Sequence, residues 1–132
     1  MALSSFSGSG LQRAGQTENA VISDTPTGNY SSGGVTYDYW EFNSSSSISV
    51  SQAGLADVLV VGGGGSGGYT TTSSGGGGAG GMLVASNAYF TAGSQTVVVG
   101  GGAAKITSTH YGPGLNGSSS RVGEYYGVGG GG

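Results

Sequence analysis

Short apolar runs with a period of two alternate along this chain with polar turns and blocks of pure glycine. Val35 to Phe42 alternates cleanly, placing Tyr37, Tyr39 and Glu41 on one face and Asp38, Trp40 and Phe42 on the other, as a strand does. Asn43 to Ser47 reads as a turn, after which Ile48 and Val50 resume the same period. A turn at Gln52 to Gly54 precedes a strand at Ala56 to Val61. Further strands are expected at Gly81 to Ala85, Thr96 to Gly100 and Arg121 to Tyr126, with a short segment at Ala88 to Phe90 before a turn at Thr91 to Gly93. The runs Val58 to Val61 and Val97 to Val99 lack polar alternation, so both faces are expected to be covered.

No helical pattern of crossover length separates these strands, which favours antiparallel pairing. The expected fold is all-β: a small antiparallel sandwich or open barrel with glycine-rich loops and an extended N-terminal arm. The arm is residues 1–34, where Leu3, Phe6, Leu11, Val21, Ile22 and Tyr30 are scattered among polar residues. Leu11 to Ala20 is the candidate for a helical turn, weakened by Gly15 and by the missing apolar stripe. Residues 35–132 form the glycine-rich β domain.

Glycine changes the picture most. It supplies 32 of the 132 residues, in blocks at Gly62 to Gly65, Gly75 to Gly78, Gly100 to Gly102 and Gly129 to Gly132. Ordering glycine costs entropy, so the blocks are either flexible loops or backbone packed closely as extended or threefold left-handed strands. Collagen is excluded, because glycine does not recur at every third position and proline occurs only twice. One layer of short strands buries little, and self-association is the simplest remedy in a chain without cysteine or an evident metal site.

Charge is sparse. Arg13, Lys105 and Arg121 stand against six carboxylates, for a net charge of −3. No basic patch exists, which argues against nucleic acid as a partner. No apolar stretch approaches the roughly 20 residues of a membrane-spanning helix, and Met1 to Phe6 lacks the features of a secretory signal. The chain is therefore read as soluble, with no membrane insertion and no export by a cleaved signal.

Candidate chemistry fails on spacing and context. Gly62-Gly63-Gly64-Gly65-Ser66-Gly67 formally matches a dinucleotide fingerprint, but Gly68-Tyr69-Thr70-Thr71-Thr72 follows instead of a helix. Lys105 sits in no Gly-Lys-Ser/Thr unit. His110 is the single histidine, nothing selects a triad of it with Asp57 and a serine, and Gly8-Ser9-Gly10 lies in the polar arm. Asp38 and Glu41 point to opposite faces of their strand, against acid/base pairing. No enzyme, cofactor or metal site is expected. Trp40 and Phe42 read as core, whereas Tyr69, Tyr111, Tyr125 and Tyr126, set among turn residues, are the candidate interface or glycan contacts.

The run from Tyr39-Trp40-Glu41-Phe42 through Asp57-Val58-Leu59-Val60-Val61-Gly62-Gly63-Gly64-Gly65 and Gly75-Gly76-Gly77-Gly78-Ala79-Gly80-Gly81-Met82 carries a resemblance. With Thr96-Val97-Val98-Val99-Gly100-Gly101-Gly102, Asn116-Gly117-Ser118-Ser119-Ser120 and the last glycine block, it resembles the glycine-rich domain of tail-fibre and other virion proteins of tailed bacteriophages, including those of cyanobacteria. About residues 35 to 132 are covered. The resemblance implies a non-enzymatic virion protein, tail or tail-fibre associated, that assembles with its own copies or with neighbouring structural proteins. It transfers no receptor-binding residue. Capsid decoration and a host-glycan-binding receptor module are the alternatives. Sequences of this kind commonly run on past the last glycine block, so a short appendage subunit or part of something longer is expected.

Overall fold

A computed structural model describes residues 2–6, 18–107 and 112–132, with side chains from residue 18 onward, and ten strands lie among these described residues. They are β1 (Ala2–Phe6), β2 (Val21–Ile22), β3 (Gly28–Ser32), β4 (Val35–Glu41), β5 (Ser46–Gln52), β6 (Gly54–Val61), β7 (Met82–Phe90), β8 (Gly93–Val98), β9 (Ser120–Val122) and β10 (Tyr125–Gly127). The architecture is all-β. The chain divides into two units, Met1–Leu59 with Val84–Thr96 and Val60–Leu83 with Val97–Gly132.

In the first unit a five-stranded sheet has the order β3-β4-β1-β6-β7. β1 lies antiparallel between β4 and β6, with Leu3 opposite both Trp40 and Val58, and Ser4 opposite both Tyr39 and Asp57. The β3–β4 hairpin turns on Gly33 and Gly34, at φ 60° and 79°, the two left-handed positions that a tight hairpin of this type needs. β8, β5 and β2 are neighbours in the other sheet of this unit. Trp40, Ile48, Val50, Ala56, Val58, Ala88 and Phe90 are buried, and the Trp40 indole N–H donates to the Asp24 carbonyl at 3.1 Å. Phe42, expected in the core beside Trp40, is only half-buried.

The 1–34 segment supplies β1, β2 and β3. Most of the candidate helical turn at Leu11 to Ala20 lies outside the described residues. Its last part is extended: Asn19 bridges Leu55, and Gly54 lets this segment lie close, since a Cβ there would stand 2.2 Å from the Glu18 carbonyl oxygen. The expected segments at 81–85 and 88–90 are one strand, β7, whose period is interrupted at Asn87, with φ 57°. β8 begins at Gly93, φ 121°, inside the expected turn. The run Val58 to Val61 is covered on one face only: β6 alternates strictly, and Val61 is 44% exposed.

The second unit is built differently. β8 continues into it and pairs with β9, which pairs with β10 through a turn at Gly123, φ 54°. Val60, Val97 and Val122 are buried, as is Ser120, whose Oγ accepts the Gly100 N–H at 2.9 Å. Beyond these strands, five glycine-rich segments (62–69, 75–81, 100–103, 112–118 and 127–132) bond to one another through their backbones. Gly62, Gly65 and Gly68 donate to Gly81, Gly78 and Gly75, at 2.9, 2.8 and 3.2 Å. Gly63, Ser66 and Tyr69 donate to Ser118, Leu115 and Gly112, at 2.9, 2.9 and 3.1 Å. Gly78 and Gly81 in turn donate to Gly131 and Val128, each at 2.7 Å.

Each register repeats every third residue, the repeat of a backbone with three residues per turn and no internal hydrogen bonds. Successive residues therefore address different neighbours. Segment 62–69 bonds to 75–81 and 112–118 by its N–H groups, and receives Ala103 and Gly130 on the carbonyls of Gly64 and Gly63, both at 2.8 Å. Side chains complete the scheme: Ser66 Oγ accepts Leu115 N–H at 2.9 Å, Ser119 Oγ accepts Gly129 N–H at 3.2 Å, and Asn116 Oδ1 accepts Gly132 N–H at 3.0 Å. The close approach requires glycine. A Cβ would lie 2.0 Å from the Gly131 oxygen if added at Gly65, and 1.9 Å from the Gly62 oxygen if added at Gly80. Of the two readings of the glycine blocks, the structure has the ordered one.

Candidate functional site

One face of the five-stranded sheet carries the side chains that β4 turns away from Trp40. Tyr37 and Tyr39 share this face by the strand period, and the register places Tyr30 of β3 opposite Tyr37. The Tyr30 and Tyr37 rings stack at 5.2 Å with 16° between their planes, and Tyr30 meets Tyr39 at 6.5 Å and 46°. Gly28 lies opposite Tyr39, and a Cβ there would come within 2.8 Å of the Tyr39 hydroxyl and 2.9 Å of Cζ. Glycine thus lets the Tyr39 ring lie across the neighbouring strand.

The Tyr30 and Tyr39 rings form one wall of a cleft of about 310 Å³, lined also by Asp57, Val58 and Leu59 of β6 and by Val84, Ala85 and Ser86 of β7. β3 and β7 are the two edges of the sheet, and five flat strands at about 4.8 Å spacing would hold them roughly 19 Å apart. That both edges line one small cleft means the sheet is curled, as a partly open half-barrel. Asp57 is the charged residue among the described lining, and its Oδ1 accepts the N–H of Asn87 at 3.0 Å. The irregular, positive-φ conformation at Asn87 therefore serves to orient this carboxylate.

Among the described residues, the expected contact tyrosines Tyr69, Tyr125 and Tyr126 stand apart from one another. Tyr111 lies outside the described residues. Tyr69 is half-buried at the end of segment 62–69, where its backbone bridges Gly112. Tyr125 is half-buried and Tyr126 is 52% exposed on β10, with the Arg121 guanidinium 5.8 Å from the Tyr126 ring centre. A Cβ at Gly62 would meet Val128 and one at Gly65 would meet Gly131, so segments 62–69 and 127–132 run in the same direction. Tyr125 and Tyr126 therefore precede the near end, and Tyr69 closes the far end, roughly 20 Å away at about 3.1 Å per residue.

The expected strand faces in β4 gave half of the cleft's aromatic wall, but Tyr30 and Asp57 were missed as its partners. The available signal was Gly28-Asn29-Tyr30 followed by Gly33-Gly34, a hairpin pattern set in polar sequence. Among the described residues, no three His, Cys, Asp or Glu side chains come together to hold a metal, and no helix is long and apolar enough to cross a membrane.

The family model of the glycine-rich domain matches residues 41–132, more than half of the chain. The chain belongs to this glycine-rich domain family. The match takes in the whole glycine bundle, whereas Tyr30, Tyr37 and Tyr39 precede it. Compared with curated proteins and with solved structures, this glycine-rich domain protein matches none.

Proposed function

We propose that this glycine-rich domain protein is a non-enzymatic structural component of a phage particle, associated with the tail or a tail fibre. The observation that carries the reading is the glycine bundle. Five segments bond backbone to backbone at three-residue intervals, which makes a stiff body with little side-chain chemistry. Such a body suits load-bearing and display. The succession of strands and glycine blocks, resembling that of tail-fibre proteins, supports that location. Copies of the chain and other virion proteins are the partners.

Immunogold labelling of purified particles, with antibody raised against the isolated chain, tests this. Label on the tail or its fibres supports the reading. Label spread over the head overturns the tail assignment in favour of capsid decoration. Particles that lack the chain, by label and by mass spectrometry, overturn a virion role altogether.

A further inference from the structure

We propose that the cleft of the curled sheet is a binding site for a neutral saccharide unit, held against Tyr30 and Tyr39 with Asp57 as its hydroxyl acceptor. The inference rests on the cleft alone and stands whether or not the protein belongs to a virion. Tyr30 and Tyr39, 6.5 Å apart between ring centres and tilted by 46°, form the aromatic wall of the cleft, and Tyr37 stacks on Tyr30 at 5.2 Å. A pyranose ring has a face of C–H groups and a rim of hydroxyls. An aromatic platform edged by a few polar groups matches both parts at once.

The remaining lining supplies that edge. Leu59, Val84 and Ala85 are apolar, while Asp57 and Ser86 offer hydrogen-bonding side chains. Both halves are pre-arranged. Gly28 holds space for the Tyr39 ring, and the Asn87 N–H orients the Asp57 carboxylate at 3.0 Å, so little ordering remains to oppose binding. The volume, about 310 Å³, lies at the low end of the range for ligand sites, which suits a short saccharide unit.

Charge and ring geometry exclude the competitors. Among the described residues the lining holds a carboxylate and neither Lys nor Arg, so a phosphorylated or acidic sugar meets repulsion there. A quaternary ammonium is held best in a cage of aromatic faces, and Tyr30 and Tyr39 are the aromatic residues of the described lining, on one wall only. A neutral saccharide is the ligand class that remains.

The test screens the full chain on an array of neutral glycans, then follows amide shifts by NMR with lactose, maltose, chitobiose and the best array hit, and with choline as the cationic probe. The expected result is saturable shifts centred on Tyr30, Tyr39, Val84 and Ser86 with at least one saccharide. Val84→Arg fills the cleft from a side chain that is 65% exposed and leaves the core untouched. Asp57→Asn keeps an acceptor for the Asn87 N–H while removing the charge. Each variant is expected to weaken binding at least tenfold with the rest of the spectrum unchanged. Failure of the whole array, saccharide shifts that survive Val84→Arg, or saturation by choline alone would each overturn the proposal.

Discussion

The two units of this chain solve the same problem with opposite parts of the amino acid. In the first, side chains do the packing: Ile48 is fully buried, Val58 is 2% exposed and Phe90 is 3% exposed. In the second, the bundle has almost no side chains to bury, and backbones approach until even one added carbon would overlap a carbonyl oxygen. Stability in a side-chain core scales with apolar area removed from water. In the bundle it comes from many close backbone contacts and hydrogen bonds, each modest alone, set against the large entropy of ordering glycine. The comparison teaches that an added methyl group and a removed one exchange their consequences between the units.

The harshest test of that exchange is Gly65→Ala. Its Cβ would fall 2.0 Å from the Gly131 carbonyl oxygen, and no flexible side chain is there to move aside. A loss of about 4 kcal/mol is expected, among the largest for one substitution, with early collapse of amide protection in segments 62–69 and 127–132. Denaturation and hydrogen exchange measure both. A loss under about 1 kcal/mol would mean that the bundle is loosely packed.

In the first unit the costly change runs the other way. Ile48→Ala empties a fully buried site and should cost about 3 kcal/mol by the same denaturation assay, through lost transfer energy and the cavity left behind. Protection of the glycine segments should fall less than that of β5.

Ser66→Ala probes the bundle's side-chain bonds. Ser66 is buried at 9% exposure, and its hydroxyl accepts the Leu115 N–H at 2.9 Å. Losing that acceptor should cost about 1 to 2 kcal/mol and should speed exchange of the Leu115 amide specifically. Uniform exchange across the unit would show that the bond is not local in its effect.

The smallest effect is the sharpest. Gly76 and Gly77 are neighbours, yet a Cβ at Gly77 would sit 2.3 Å from the Gly65 oxygen, while one at Gly76 meets nothing within 4 Å. Gly76→Ala should stabilise by about 0.5 kcal/mol, because it restricts the unfolded chain at no steric cost. Gly77→Ala should destabilise. If the paired thermal melts of the two variants agree, the three-residue geometry is wrong.

Much of the fold was legible in residue order. The alternation from Val35 to Phe42 marks β4 because a half-buried strand needs it, and the apolar runs before the glycine blocks mark β6 and β8 for the same reason. β3 was hidden, since Gly28-Asn29-Tyr30-Ser31-Ser32 has no apolar alternation and becomes a strand only through its pairing with β4. The candidate site was less legible still. Tyr37 and Tyr39 were placed on one face, but their meeting with Tyr30 depends on the β3–β4 register, and the placing of Tyr39 across from Asp57 depends on β1, whose Ser4 is opposite both. Tyr69, Tyr125 and Tyr126 looked alike as exposed turn residues, and only the direction of the segments separates them.

By itself the sequence determined the class of structure. Period-two alternation and the absence of helical patterning are local properties, written in the order of side chains. Tertiary structure decided everything that depends on two distant pieces of backbone meeting: which glycines are obligatory, how the three-residue register is shared among neighbours, and where an aromatic cleft opens. Glycine carries no side-chain pattern to announce its partner, so its neighbours are set by hydrogen-bond direction and close approach, which exist only once the chain has folded.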